Sequence, residues 1–93
     1  MRSIPIMQKF GYPIIFDATH SAQLPGGNGI NTSGMRDMIP TLARSAVAAG
    51  CNGLFMEVHN NVESAKSDAS TQWPLEKLKA LLISIKAIRQ SIL

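Results

Sequence analysis

Apolar and polar positions along the chain follow two spacings, one typical of buried strands and one typical of helices. Short apolar runs at 13–19 and 53–58 are bounded by turn-forming or polar residues, which favours strands buried on both faces. Apolar residues at helical spacing predict helices at 3–10, 33–50 and 74–92. The predicted order is therefore helix, strand, helix, strand, helix.

Residues at the ends of these segments support the helix boundaries. Ser3 and Ser33 suit N-cap positions, and Pro74 suits the first position of the last helix. Gly11 and Gly50 are expected to end the first two helices, because glycine readily adopts the left-handed backbone found there.

Strands that alternate with helices predict an α/β fold with a parallel sheet. Two parallel strands do not form a stable sheet alone, so strands buried on both faces need neighbours outside this set. We therefore expect residues 1–93 to be the C-terminal two βα units of a (β/α)8 barrel, preceded by the end of a helix. They would form part of one domain, with no second domain. Long loops follow both predicted strands, at the end of a barrel that carries the active site.

Composition narrows the class of protein. The chain has 93 residues, a net charge of +3 and one cysteine, so it forms no internal disulfide and suits a reducing compartment. Its basic residues are scattered without interleaved aromatics, which argues against nucleic-acid binding. No apolar run approaches the ~20 residues that span a bilayer, and no signal peptide is evident. We expect a cytoplasmic protein without membrane association.

Polar side chains follow both predicted strands. Alternation along the second strand places Glu57 and His59 together, pointing into the barrel mouth, while His20 ends the first strand on the same face as Phe16. His20 and Glu57 would thus meet at one rim, and Asp68 can reach it from the following loop. An imidazole and two carboxylates suit a divalent transition metal, but they can equally position a phosphate or a water.

Structural explanations compete with this site. A histidine at a strand end is often only a hydrogen-bonded structural residue, and Asp68 resembles a turn or cap residue. Asp17 can simply bind loop amides. Glu57 is harder to explain structurally, because burying an unpaired carboxylate is costly. Cys51 and Trp73 are expected to be packed, with Trp73 anchoring the last helix.

Longer motifs extend these features. The sequence FDATHSAQLPGG at 16–27, GLFMEVH at 53–59, SDA at 67–69 and WPL at 73–75 resemble the 3-deoxy-D-manno-octulosonate 8-phosphate synthases. These enzymes are also called 2-dehydro-3-deoxyphosphooctonate aldolases. The resemblance runs from Arg2 through nearly the whole chain. The related 3-deoxy-heptulosonate phosphate synthases share the reaction type and fold but match the first motif less well.

The resemblance implies a (β/α)8 barrel, a homotetramer and a transferase of lipopolysaccharide inner-core (KDO) biosynthesis. Such an enzyme condenses phosphoenolpyruvate with D-arabinose 5-phosphate and water, giving 3-deoxy-D-manno-octulosonate 8-phosphate and phosphate. In metal-dependent members the catalytic residues that hold a divalent ion match His20, Glu57 and Asp68, and His20 and Gln23 match residues that bind phosphoenolpyruvate. The segment 67–71 favours the metal-dependent branch. No organic cofactor is expected.

The chain also departs from the family pattern. The family's N-terminal lysines and arginines, which bind both phosphates, have no counterpart in 1–93, nor does the cysteine or asparagine at the fourth metal-ligand position. Cys51 lies at the far end of its strand from the rim. Two hypotheses follow: these residues act within a complete synthase, or the chain is a truncated, non-catalytic fragment that at most docks onto intact subunits. An independent metal-binding module is disfavoured, because an unfolded fragment seldom preforms a site. We expect the 93-residue chain alone to be inactive.

Overall fold

The computed structural model describes residues 1–22, 36–60 and 72–93. These ranges contain three α-helices, four short strands and two 3₁₀ turns. In chain order the elements are helix α1 (Ser3–Gln8), strand β1 (Ile15–Asp17), a 3₁₀ turn (His20–Ala22), helix α2 (Ile39–Ala48), strand β2 (Gly53–Phe55), strand β3 (Val58–His59), strand β4 (Trp73–Pro74), a second 3₁₀ turn (Leu75–Lys77) and helix α3 (Leu78–Ile92).

Both strand pairs are parallel, which confirms the predicted α/β class. β1 pairs with β2, with Ile15 opposite Gly53 and Asp17 opposite Phe55. β3 pairs with β4, with Val58 opposite Trp73. Parallel pairing brings the carboxyl ends of β1 and β2 to the same edge of the sheet.

The strand predicted at 53–58 is divided into two short strands with different partners. The β1–β2 ladder ends where the Ala18 N–H donates to the Phe55 carbonyl at 2.9 Å. Two residues later, the Glu57 carbonyl accepts from the Trp73 N–H at 2.8 Å. The chain therefore changes partner between β2 and β3, and Glu57 lies at the change.

The predicted helix ends need two corrections. Ser3 is the first helical residue of α1, and Arg2 occupies the N-cap position without a side-chain bond. Pro74 belongs to β4, and its ψ of 130° is extended, so α3 begins only at Leu78. The glycine stops are confirmed by φ angles of 89° at Gly11 and 98° at Gly50. The predicted cap at Ser33 lies outside the described residues.

Helices α2 and α3 cover one face of the β1–β2 sheet. Phe16 and Leu54 point to this side and pack against the buried residues. The buried hydrophobic residues are Ile4, Ala18, Ala22, Ile39, Ala43, Ala46, Val47, Cys51, Trp73 and Leu81. Cys51 and Trp73 are packed as expected, and burial raises the pKa of the Cys51 thiol.

The opposite face of the β1–β2 sheet is open within the described residues. Ile15 is 60% exposed and Phe55 is 49% exposed, although both follow the apolar pattern of buried strands. The prediction of burial on both faces is therefore wrong for the described part of the chain. In those ranges, no helix is long and apolar enough to cross a membrane.

Candidate functional site

The candidate site lies at the carboxyl ends of β1 and β2, on the open face of their sheet. Asp17 closes β1, and the chain then turns through Thr19 into the 3₁₀ turn that starts at His20. Glu57 follows β2 at the same edge. Ligand sites at the carboxyl ends of parallel strands are the rule in α/β folds.

Asp17 organises the turn after β1. Its Oδ1 accepts hydrogen bonds from the backbone N–H groups of Thr19 at 3.1 Å and His20 at 2.9 Å, and from the Thr19 hydroxyl at 3.2 Å. Its Oδ2 lies 2.8 Å from Nδ1 of His20. Asp17 thus binds loop amides, as one explanation held, but its second oxygen holds the histidine.

His20 does not continue the strand alternation that grouped it with Phe16. Because β1 ends at Asp17, the 3₁₀ turn carries the His20 ring to the open face of the sheet. There it stacks on Phe55, with ring centroids 6.4 Å apart and an interplanar angle of 21°. Phe55 stands opposite Asp17 in the β1–β2 register, so both position the ring from the same face.

His20 and Glu57 are in direct contact. Nε2 of His20 lies 3.1 Å from Oε1 of Glu57. The second carboxylate oxygen of Glu57 accepts from Nε2 of Gln72 at 3.3 Å, and the Glu57 N–H donates to the Thr19 hydroxyl at 3.1 Å. The rim contact predicted from the sequence is therefore present, and Gln72 and Thr19 both hold Glu57 in place.

The electrostatics of Asp17 determine how it acts on His20. Partial burial alone would raise the pKa of Asp17, but hydrogen bonds from His20 and Thr19 outweigh that effect and lower the pKa below its usual 3.8. Asp17 is therefore an ionised acceptor at neutral pH. An acceptor at this position favours the proton of His20 on Nδ1 and directs Nε2 toward Glu57. Since Nε2 and a carboxylate oxygen both carry lone pairs, a proton or a cation must lie between them.

The spacing of the two rim donor atoms matches that of two neighbouring ligands of a divalent ion. Donors bound at about 2.0–2.2 Å to a transition metal stand about 2.8–3.6 Å apart, and Nε2 of His20 and Oε1 of Glu57 are separated by 3.1 Å. A carboxylate on the remote nitrogen, as Asp17 provides, is the usual support of a metal-binding histidine. Among the residues that the structure describes, no group of three or more histidine, cysteine, aspartate or glutamate side chains could hold a metal.

The remaining residues that the sequence analysis singled out have different outcomes. Asp68 and Gln23 lie outside the described residues. His59 lies in β3 opposite Pro74. Cys51 precedes β2, at the end of the strand opposite Glu57, as expected.

Sequence reasoning missed three contributors to the site. The supporting role of Asp17 had a signal, an acid three residues before a histidine at a strand end. Thr19 had a weaker one, a polar residue that ends the predicted strand. No sequence feature indicated Gln72, because its contact with Glu57 depends on the pairing of β3 with β4.

The fold and site define an α/β chain with a carboxylate–imidazole–carboxylate array at the ends of parallel strands. The sequence pattern of the DAHP synthetase I family matches residues 1–93. The chain belongs to the DAHP synthetase I family.

Curated relatives agree with the resemblance in the motifs. The chain is 53% identical over 92 residues to a 2-dehydro-3-deoxyphosphooctonate aldolase of Azoarcus sp. (strain BH72), covering 99% of this chain and 33% of the relative. It is 55% identical over 87 residues to the protein of the same name from Legionella pneumophila (strain Lens), covering 94% of this chain and 32% of that relative. It is 48% identical over 92 residues to the Dechloromonas aromatica (strain RCB) protein of that name, covering 99% of this chain and 33% of that relative. The chain thus spans about a third of the length of these relatives.

Thr19→Val is expected to destabilise the fold, because the Thr19 side chain is fully buried and its hydroxyl pairs with both Asp17 and the Glu57 N–H. Valine has the same shape but leaves that N–H unpaired, which costs about 1–3 kcal/mol in the free energy of unfolding. The measurement is urea unfolding of a graft protein, in which residues 1–93 replace the matching third of the Azoarcus relative. Thr41→Val, at an exposed position of α2, is the matched control and should stay within about 0.5 kcal/mol. Equal losses from both substitutions would contradict the bridging role of Thr19.

Proposed function

We propose that residues 1–93 supply the catalytic rim of a 3-deoxy-D-manno-octulosonate 8-phosphate synthase, as the last two βα units of a (β/α)8 barrel. The observation that carries the proposal is the 3.1 Å contact between His20 and Glu57 at the carboxyl ends of parallel strands. The names of the relatives support the reaction class. The reaction condenses phosphoenolpyruvate with D-arabinose 5-phosphate and water, and it releases phosphate.

The open face of the β1–β2 sheet supports the barrel. Ile15 and Phe55 present apolar side chains there, and a closed barrel would cover such side chains with those of its other strands. In this proposal the remaining strands, and the residues that bind both phosphates, belong to the part of the synthase beyond the third matched here. The complete protein would be a cytoplasmic homotetramer.

The rim side chains have defined roles in this reaction. Nε2 of His20 and the carboxylate of Glu57 can hold a divalent ion, with Asp68 as the third ligand. When bound, such an ion polarises a carbonyl or acidifies a water. Independently of an ion, Nε2 of His20 or the carboxylate of Glu57 can accept a proton from the water that adds to the phosphate-bearing carbon of phosphoenolpyruvate, whose bond to the phosphate oxygen then breaks. Gln23 and His20 would contact phosphoenolpyruvate.

The graft protein tests the proposed function directly. We expect it to consume phosphoenolpyruvate and release phosphate in the presence of arabinose 5-phosphate. The Azoarcus relative lacking the replaced third is the control for background activity. A folded graft protein that releases no phosphate would contradict the proposal. Preference for a four-carbon aldose phosphate, which a seven-carbon product requires, would instead favour a 3-deoxy-heptulosonate phosphate synthase.

A second candidate is a non-catalytic fragment that docks onto intact subunits. The observation that favours it is the open sheet face, whose exposed Ile15 and Phe55 could dock onto another subunit. Capture from its own cells with an antibody to α3, followed by intact mass measurement, separates the two. A mass of about 30 kDa, that of an ordinary (β/α)8 domain, supports the synthase. The mass of 93 residues supports the fragment.

A further inference from the structure

We propose that Asp17 is a positioning residue that holds His20 with its proton on Nδ1 and its Nε2 facing Glu57, and that Thr19 couples this arrangement to Glu57. The inference rests on the proposed function, because it concerns the same rim. It adds two residues that do not contact the reacting atoms.

The Asp17 carboxylate is itself fixed in place. Three donors from the turn converge on its Oδ1: the N–H groups of Thr19 and His20 and the Thr19 hydroxyl. Because rotation of the carboxylate would break these bonds, the position of the other oxygen, Oδ2, is also fixed. Oδ2 lies 2.8 Å from Nδ1 of His20.

The His20 ring is then restricted to one productive state. With Nδ1–H donated to Asp17, the other nitrogen is the one that faces Glu57 at 3.1 Å. A ring flipped about its Cβ–Cγ bond would lose the Asp17 contact, and the stack on Phe55 keeps the ring plane parallel to the sheet residue beneath it. In this orientation Nε2 is the ring atom at the rim, where a proton or a cation can lie between it and the Glu57 carboxylate.

Thr19 also positions the backbone of Glu57. Its hydroxyl donates to Asp17 Oδ1 and accepts the Glu57 N–H, and the Thr19 side chain is fully buried. Because water does not reach this hydroxyl, its two bonds are not exchanged for solvent. One carboxylate therefore positions the imidazole directly and the backbone of Glu57 through one intervening group.

The test is the protonation of His20 in the graft protein, with and without Asp17→Asn. Asparagine keeps the shape and can still accept from the turn, but its amide N–H would face Nδ1 and move the histidine proton to Nε2. Magic-angle-spinning ¹⁵N NMR of histidine-labelled protein reports which nitrogen is protonated, and His20→Ala identifies the signals. We expect protonated Nδ1 in the parent and unprotonated Nδ1 in Asp17→Asn.

Kinetics provide the second readout. Asp17→Asn should lower kcat about 10–100-fold, the usual effect of removing the group behind a metal-binding histidine. The KM for phosphoenolpyruvate should stay within about twofold, since Asp17 does not contact substrate in this proposal. Asp37→Asn, at an exposed position, is the matched control and should leave kcat unchanged.

The outcomes separate this inference from the proposed function. An unprotonated Nδ1 in the parent would overturn the inference even if the variant failed to fold. Loss of kcat in Asp17→Asn with the His20 protonation unchanged would also overturn it, because the role of Asp17 would then be only structural. A graft protein that makes no product, but whose His20 proton moves as expected, would uphold the positioning and contradict the synthase.

Discussion

His20→Ala and Glu57→Ala are each expected to lower the turnover of the graft protein about 10²–10⁴-fold, the range for loss of a group that transfers a proton or holds a catalytic ion. The two side chains touch at 3.1 Å, so either change destroys the array. Without Glu57, the side-chain amide of Gln72 loses an acceptor, and Nε2 of His20 no longer faces a carboxylate. Without His20, the carboxylates of Asp17 and Glu57 lose the ring between them.

Glu57→Gln tests whether turnover requires the negative charge of Glu57 or only the shape of its side chain. The amide matches the carboxylate in size and can still accept from Gln72, but it neither binds a cation well nor takes up a proton. We therefore expect Glu57→Gln to lose nearly as much turnover as Glu57→Ala. Glu76→Gln, at an exposed position of the second 3₁₀ turn, is the matched control and should keep the parental rate.

Near-parental rates in both His20→Ala and Glu57→Gln would remove these residues from the active site. Assays in the presence of a chelator distinguish ion binding by these residues from proton transfer or water positioning. Activity lost in chelator and recovered with a divalent ion would support ion binding at His20 and Glu57. Activity that survives the chelator in the parent, but not in His20→Ala, would assign these residues to proton transfer or water positioning.

The α/β class and the meeting of His20 with Glu57 were predictable from the sequence. Both rest on local signals: two spacings of apolar residues, and polar residues where apolar runs end. Parallel pairing then brings the two ends together whatever the details of packing. The position of the His20 ring was not predictable in the same way, because alternation holds only while the strand lasts, and β1 ends at Asp17.

Features that depend on contacts distant in sequence were also not predictable. The split of 53–58 arises because Phe55 bonds to Ala18 while Glu57 bonds to Trp73, and the spacing of apolar residues does not reveal a change of partner. The extended backbone at Pro74 has the same origin, since β4 pairs with β3. Gln72 approaches Glu57 only as a consequence of that pairing.

The 93-residue chain made alone is expected to melt without a sharp cooperative transition. Its described strands form only two-stranded sheets, and pairs of short strands are marginal in water. Ile15 at 60% exposure and Ile83 of α3 at 61% show that apolar surface stays in contact with water on both the sheet and the helix layer. A chain of this length buries little enough of its unfolded surface that such losses matter. Circular dichroism during heating, with size-exclusion chromatography of the same sample, is the measurement.

Ile15→Ala distinguishes an incomplete fold from a self-sufficient one. If other strands cover the open face in the graft protein, the substitution removes a buried side chain and should cost about 2–5 kcal/mol in the free energy of unfolding. If the chain folds alone as it stands, Ile15 remains exposed and the same change should stay within about 0.5 kcal/mol. A sharp melt of the monomeric 93-residue chain, with a near-neutral Ile15→Ala in both proteins, would show that the described fold needs no neighbours. A broad melt alone and a large loss in the graft protein would show that the open face is an interior surface of a larger barrel.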